Sequence, residues 1–491
     1  MNMKKNNNKS VKNKFVTDVL VRGVTQVVVA LKGVIFLPII SKNLGASQYG
    51  IWSQIMITSS LLVPILMLDL REANVRYLGS EENDEKPSIF SSLLGFVWLI
   101  LLVSLVIFNL FDNQLANVLF DDRTLTPFVK LFLLYLFSRT TFRLIHTYYR
   151  ANNKIKQHSL IQVLQTVTGI GIVSFLITLG NFELREALIT LVSIDLFLSL
   201  LMLVNIFNNL GLSLKINFKK LKKYLKYSIP LIPTVALYWV INSSDRLVIV
   251  HFLNLSEVAR YSAAYRVGQI LKFLLSPISF TLLPLVSNLW EEREFDKARQ
   301  YLANSLKYYI LVAVPGLAGI YWIGPILLEK LTTTEFSVNR VLIFYIGLGF
   351  FFIGVYQIYV YVIYLHEKNK YLPGLFLVVG GVNLGLNLFL VPKIGITGAA
   401  LATLISYSLQ CLIIFTISFK MFQIKVNFVF LIKVMASSIV MFFVIRFFVP
   451  TNPLEIFGLI ALGILIYIML MIVIGGLGKK ELRLFKSLFR I

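Results

Sequence analysis

Residues 227–253 read YSIPLIPTVALYWVINSSDRLVIVHFL, and the reading of that stretch decides the fold. As a helix the run is long enough to cross a hydrocarbon core of roughly 30 Å. Yet Asp245 and Arg246 stand side by side within it. On insertion scales a charge at the centre of a bilayer helix costs roughly 2.5–3.5 kcal/mol. A chain that keeps both must supply partners, an aqueous cavity, or both.

The rest of the chain follows the same pattern. Of 491 residues, 57 % are hydrophobic and 14 % charged, with a mean hydropathy of +0.78. A soluble chain carries roughly 25 % charged residues. Here the apolar residues come in blocks of about 20, the length of a membrane span. The expected fold is an all-α polytopic membrane protein with about fourteen transmembrane helices. They fall near 15–40, 51–70, 90–110, 126–148, 158–179, 186–208, 228–253, 260–287, 304–328, 338–364, 372–391, 395–419, 428–449 and 455–477.

The opening MNMKKNNNKSVKNK has no signal-peptide core or small-residue cleavage site and reads as a cytosolic tail. Cys411 is the only cysteine, so no disulfide is expected, and His146, His158, His251 and His366 show no metal-binding spacing. A net charge of +23 would suggest nucleic acid for a soluble protein. In a membrane protein it is a question of loop asymmetry. With the amino terminus inside, the cytosolic segments hold about 29 Lys and Arg and the opposite loops about eight. The bias places both termini in the cytosol, with no nucleic-acid partner.

The halves look related. ALITLVS at 187–193 and ALATLIS at 400–406 lie 213 residues apart, and the same offset aligns the end of the first span with that of the seventh. The expected organisation is a tail at 1–14, an N-lobe at 15–208 and a basic cytosolic linker at 209–227. A pseudo-symmetric six-helix C-lobe at 228–421, two extra spans within 422–477 and a tail at 478–491 follow. Repeated halves with a site between them are a common transporter plan. The linker reads as an interfacial helix, serving topology or docking on anionic head groups.

Charges inside the spans carry the chemistry. Arg22 and Lys32 fall in the first span, Lys130, Arg139 and Arg143 in the fourth, Arg246 in the seventh, and Arg266 and Lys272 in the eighth. Acids at similar depth are Asp69, Asp195 and Asp245. Eight bases facing lipid at roughly 3 kcal/mol each would cost about 24 kcal/mol, more than a marginally stable fold absorbs. They should face water or one another. Gln26 shares a side with Arg22 and Lys32, Gln269 with Arg266, and Asn242 with Asp245 and Arg246. An excess of cations over acids suits an anion, and arginine forks suit phosphate oxygens. The second half offers polar and aromatic groups instead: Tyr356, Gln357, Tyr359, Tyr361, Tyr364, Asn383, Asn387, Thr403 and Ser406. These could meet sugars, or the tyrosines could form an interfacial belt.

Three segments carry a family resemblance. LPIISKNLGASQYGIWS at 37–53, SSDRLVIVHFLNLSEVARYSAAYRV at 243–267 and VNLGLNLFLVPKIGITGAALATLIS at 382–406 occur in order along the chain. They resemble the corresponding segments of Wzx-type polysaccharide and O-antigen flippases, the polysaccharide transporter family of the MATE-like MOP exporter superfamily. The resemblance implies two six-span bundles around a central cavity, alternating access, and a lipid-linked oligosaccharide on undecaprenyl pyrophosphate as substrate. It further implies a cationic cavity, for which the candidates are Arg22, Lys32, Arg139, Arg143, Arg246, Arg266 and Lys272. Gln26, Asn242, Gln269, Gln357, Asn383 and Asn387 are the candidates for sugar contacts. The chain would sit as a monomer in a bacterial inner membrane, beside polysaccharide polymerase machinery, serving capsule, O-antigen or a similar glycan.

Translocation makes and breaks no bond, so no catalytic group and no cofactor is expected. Asp245 or Asp195 is the candidate for a coupling H⁺, and Asn383, Asn387 and Thr403 for a cation such as Na⁺. No GxxxxGK[ST] loop occurs, which argues against direct use of ATP. A MATE-type drug exporter would have twelve spans and acids in its lumen. A membrane polymerase or ligase would carry a large outer loop, whereas the longest outer loop here, 111–125, is short and acidic.

Overall fold

The structure, a computed structural model, describes the backbone of residues 2–180, 182–211, 215–424 and 427–478. Side chains are described over the same ranges except at 2–20, 27, 30, 31, 34, 210 and 273–281. Most of the expected 478–491 tail therefore lies outside the described residues. All regular elements among those described are helical, as long apolar blocks without period-two alternation require. Among the described residues, eleven helices are long and apolar enough to cross a membrane. The expected fourteen is not reached by length and apolarity alone. The 26-residue helix over the expected fourth span is as long as its neighbours, but Lys130, Arg139 and Arg143 reduce its apolarity.

The chain forms two compact units. The first covers residues 1–239 with 254–256. It contains α1 (Asn2–Leu66), α2 (Leu70–Tyr77), α3 (Lys86–Leu110), α4 (Asp112–Phe120), α5 (Thr126–Ala151), α6 (Ile155–Thr178), α7 (Leu184–Leu210) and α8 (Phe218–Ser228). The first residues of α9 (Ile232–Ser243) belong to it as well. The division falls inside the expected seventh span, after Trp239, rather than in the 209–227 linker. Trp239 is held within the first unit, where its indole N–H donates to Ile57 O at 2.9 Å.

The expected first two spans and the turn between them form one kinked helix, α1, which bends at Gly45 with φ 73° and ψ −179°. Only glycine adopts that conformation freely, so the LG of SKNLGASQYG sets the bend. Beside this helix, α5 is the hub of the unit. It packs against α1, α2, α3, α4, α6 and α7, and most of its residues are buried.

The linker helix α8 does not stand free. Leu221 and Tyr224 are buried. Tyr77 meets the rings of Tyr224 and Tyr227 at 5.4 and 5.5 Å. Lys220 bonds Glu81 and also Glu85, the latter at 2.6 Å, and Lys223 reaches Glu81 at 3.0 Å. Two of the linker lysines are thus committed to the α2–α3 loop. Burial alone would raise the pKa of Glu81, but hydrogen bonds from Lys220 and Lys223, and their charges, outweigh it and hold the carboxyl below its ordinary value.

The second unit covers 240–253 and 257–491. It contains the end of α9, α10 (Asp245–Phe252), α11 (Leu255–Gly268, from Glu257), α12 (Ile270–Glu291), α13 (Phe295–Leu331), α14 (Arg340–Leu365), α15 (Tyr371–Ile394), α16 (Ile396–Met421), α17 (Phe428–Ile445) and α18 (Pro453–Val473). Helices α14, α15 and α16 form its densest packing. The α15–α16 turn is made by Gly395, with φ 63°. A Cβ at Gly398 would stand 2.6 Å from Leu390 O, so the two helices approach through a glycine. The two C-terminal helices attach to α13, where the Tyr467 hydroxyl donates to Leu311 O at 2.8 Å.

The expected continuous seventh span is broken at Ser244. Side chains take over the backbone partners there. The Arg246 N–H donates to Asp245 Oδ1 at 3.0 Å, and the Arg246 guanidinium reaches back to Asn242 O at 2.9 Å. Ser244 Oγ donates to Val240 O at 2.7 Å. A side chain inserted into the backbone ladder is a standard cause of a helix break.

Two outcomes follow from this packing. Because the folded pKa of Glu81 is depressed, its contribution is complete above its ordinary value near 4.5 and is lost as pH falls through the lower folded value. Hydrogen exchange should therefore show α8 protected at neutral pH and released on acidification below that value. In Glu81→Gln, α8 should already exchange faster at pH 7. In the second unit, Arg246→Met should leave Asp245 buried without its cation and lower stability by about 3–5 kcal/mol. The double variant Asp245→Asn/Arg246→Met should regain most of it, as read by thermal unfolding in detergent.

Candidate functional site

Each unit carries one polar cluster. In the first, α5, α1, α6 and α7 bring charges together near mid-span. Arg139 is the fourteenth residue of α5 and Asp195 the twelfth of α7, about 16–23 Å from the helix ends at 1.5 Å per residue. Arg139 Nη1 lies 3.3 Å from Asp195 Oδ2 and 3.4 Å from Oδ1. Gln165 of α6 donates to Asp195 Oδ1, and Ser199 Oγ donates to the Asp195 carbonyl at 2.6 Å. Asp195 is buried, while the Arg139 side chain keeps 21 % of its surface exposed.

Lys32 and Arg143 complete this cluster. Both lie within electrostatic range of Arg139 and Asp195. Lys32 sits 5.5 Å from the Phe36 ring. Neither has a carboxylate bonded to it among the described residues. Three cations against one carboxylate leave a formal charge of 3 − 1 = +2. Gln26 is exposed on α1, one turn from Arg22.

Arg22 lies apart from that group. Its Nη1 is 2.8 Å from His158 Nδ1 and 3.5 Å from Gln162 Oε1. His158 stacks on His146 with centroids 3.8 Å apart, and His146 stacks on Phe142 at 5.4 Å. The Arg139 guanidinium lies 5.6 Å from the Phe142 ring. A column from Arg139 through Phe142, His146 and His158 therefore ends on Arg22. Sequence reasoning set these histidines aside because their spacing fits no metal motif. The available signal was positional, since Arg139, Phe142, Arg143 and His146 recur at helical spacing along α5.

The second cluster is closed. Asp245 and Arg246 are both buried and pair at 2.7 Å. The Tyr261 hydroxyl donates to Asp245 Oδ2 at 2.6 Å, and Thr403 Oγ1 lies 3.5 Å from the same oxygen. The guanidinium lies 4.1 Å from the Tyr265 ring centre and 4.8 Å from that of Tyr261. Tyr265 and Tyr407 hydroxyls meet at 3.0 Å, and Tyr407 donates to Asn242 Oδ1 at 2.7 Å. Arg246 is thus compensated in place, unlike the cations of the first unit. Beside this network, buried Asn383 donates to Ser406 Oγ at 3.2 Å, and Asn387 donates to Asn383 O at 2.9 Å. Asn387 Oδ1 is buried without a hydrogen bond.

The remaining candidates are not gathered into either cluster. Arg266 and Lys272 are exposed and have no bonded partner among the described residues, with half-buried Gln269 between them at the α11–α12 break. Gln357 is half-buried and only 3.5 Å from the Tyr361 hydroxyl. Tyr356, Tyr359 and Tyr361 are buried, and Tyr359 packs edge-on against Phe415 at 5.1 Å. These three pack inside the protein, while Tyr364 is half-buried.

Comparison with known proteins agrees with this architecture. Residues 15–290 match the family described as "Polysaccharide biosynthesis protein", and residues 230–392 match the MatE family. Two curated relatives from Haloferax volcanii are similar in part. "Probable flippase AglR" is 27 % identical over 169 residues, and "Probable low-salt glycan biosynthesis flippase Agl15" is 23 % identical over 214. The matched regions span 34 % and 40 % of this chain, and 35 % and 40 % of the length of those relatives. Among solved structures, the lipid II flippase MurJ in an inward closed conformation superposes with a TM-score of 0.75 at 16 % identity, covering 94 % of this chain and 98 % of that one. An inward-facing MATE multidrug transporter of the MOP superfamily gives 0.66 at 12 % identity, covering 79 % and 93 %. With more than half of its length matched, the chain belongs to the polysaccharide biosynthesis protein family, on the membrane-transporter fold shared with MurJ and the MATE proteins.

Proposed function

We propose that the protein is a flippase that moves lipid-linked oligosaccharides across the membrane by alternating access. The observation that carries this reading is the +2 cluster of Lys32, Arg139, Arg143 and Asp195 at mid-span in the first unit. A half-exposed site with uncompensated cations inside a span is built for an anion. Two net charges match the two of a diphosphate diester, which supports a polyprenyl pyrophosphate such as undecaprenyl pyrophosphate as the carrier. Arg139 is the member best placed to fork a phosphate, because Asp195 can pass its hydrogen bonds to the incoming oxygens. Exposed Arg266 and Lys272 supply further positive charge in the second unit. Arg246, already neutralised by Asp245, serves structure.

The family and the relatives support a role in assembling a surface glycan, with capsule and O-antigen as the expected products and polymerase machinery as the downstream partner. The loop charge bias supports cytosolic termini, and the resemblance to Wzx-type flippases supports a bacterial inner membrane. For ion coupling, the second cluster fits a small cation less well than its residue types suggest, because Arg246 and Tyr261 occupy Asp245. Asn387 Oδ1, buried and without a hydrogen bond among the described residues, is an oxygen of that group open to a cation. Drug export in the manner of the MATE proteins is the second reading, favoured by the MatE match at 230–392. The cationic cluster of the first unit speaks against it for cationic drugs.

Deleting the gene should make the lipid-linked repeat unit accumulate on the cytosolic leaflet, scored by its access to a membrane-impermeant glycosidase. Unchanged delivery to the surface would refute the flippase reading. In proteoliposomes, Arg139→Ala should lower transport about 10- to 100-fold, as expected when a charge-assisted bond of roughly 1.5–3 kcal/mol is lost. Arg266→Ala should lower it several-fold with normal insertion, and normal transport would remove Arg266 from the binding set.

A further inference from the structure

The linker helix α8 has no part in the transport scheme above, and its residues sort into distinct faces. Leu221, Tyr224 and Ser228 are buried, and the helix packs on α2 and α3. Lys220 and Lys223 are held on one flank by Glu81 and Glu85. Lys219, Lys222 and Lys226 are exposed and have no bonded partner among the described residues. At 3.6 residues per turn they stand about 130–170° around the helix from the buried set. On the edge of this outward face Phe218, Leu225 and Ile229 fall within about 40° of one another. Phe218 is 72 % exposed and Ile229 47 %, and Leu225 is half-buried.

The lysines alone would suit water, but a phenylalanine and an isoleucine left open beside them do not. Exposed lysines flanked by exposed aromatic and aliphatic groups are the composition of a helix lying in a membrane interface. The short turn Ile229–Leu231, with Pro230, is all that separates α8 from α9. Three residues reach at most about 10 Å, so α8 is kept near the end of an apolar block of spanning length.

We propose that α8 docks on the surface of the bilayer, with Phe218, Leu225 and Ile229 among the acyl chains and Lys219, Lys222 and Lys226 on the phosphates of acidic phospholipids. Glu81 and Glu85 have a positioning role in this arrangement. By engaging Lys220 and Lys223 they fix the rotation of α8, so that the Phe218 edge meets lipid while Tyr224 stays on the protein. The occupant is the bulk acidic phospholipid, and the docking does not depend on what the protein transports.

Cys411 is the only cysteine, so Cys411→Ala with Ile216→Cys gives the full chain one attachment point for a fluorophore beside α8. Ile216 is exposed just ahead of the helix. The labelled protein is placed in nanodiscs of mixed phosphatidylcholine and phosphatidylglycerol, one of which carries a doxyl quencher on its acyl chain. At equal mole fraction, quenching should report phosphatidylglycerol enriched about three- to tenfold over phosphatidylcholine around α8. The enrichment should shrink toward parity in about 0.5 M salt, where the charges are screened. The triple variant Lys219→Gln/Lys222→Gln/Lys226→Gln should lose it, and the corresponding triple arginine variant should keep it. Equal quenching by the two lipids in the otherwise unaltered labelled chain, or a preference that survives the glutamine variant, would overturn the proposal. Quenching by aqueous iodide and by neither lipid would leave the lysines a topology signal and refute docking. A label shielded from iodide and from both lipids would place a second copy of the chain on this face, and would refute it equally.

Discussion

A guanidinium at the depth of a membrane span has to be met by a carboxylate, by an aromatic face or by water, because lipid offers nothing to offset the loss of its hydration. This constraint organises both units. In the second, Arg246 is met by Asp245 at 2.7 Å, by two tyrosine faces, and by the carbonyl of Asn242 one turn back. In the first, Arg139 has one carboxylate, which Gln165 also bonds, while Lys32 and Arg143 have none bonded among the described residues. One unit closes its charge and the other leaves it open, and the open one suits an anionic ligand.

The closed cluster also shapes the backbone. Binding Arg246 diverts its N–H to the Asp245 carboxylate and brings its guanidinium onto a backbone oxygen, and the helix breaks at Ser244. From that break Tyr261, Tyr265, Tyr407, Asn242 and Thr403 are tied into one network that spans α9, α10, α11 and α16. Removing one charge from such a network exposes the other to the full desolvation penalty. The network is therefore a structural fastening.

Much of this was legible in the amino-acid order. Blocks of apolar residues define the helices because their length must match the bilayer. The basic set was visible because charges are rare within such blocks and stand out singly. Segments such as LPIISKNLGASQYG and VNLGLNLFLVPKIGITGAALATLIS carry the family because glycine and proline mark the bends, and Gly45 and Gly395 do sit at helix junctions with backbone angles that other residues avoid. The tyrosines of α14 were harder to read. A tyrosine in a span can face lipid head groups, sugar or protein, and only its neighbours distinguish these; here they bury Tyr356, Tyr359 and Tyr361 and leave Tyr364 half-exposed.

By itself, then, the sequence determined the class of protein, the helical blocks and the excess of cations over acids, since each depends on composition along one helix and on the fixed thickness of a membrane. Which cation is paired and which is open was decided by tertiary structure. Asp245 meets Arg246 through adjacency, but Asp195 reaches Arg139 across 56 positions of chain and His158 reaches Arg22 across 136. Such pairings depend on how helices rotate and pack against one another. Helical periodicity says which residues share a face, and it is silent on which face of another helix will meet it.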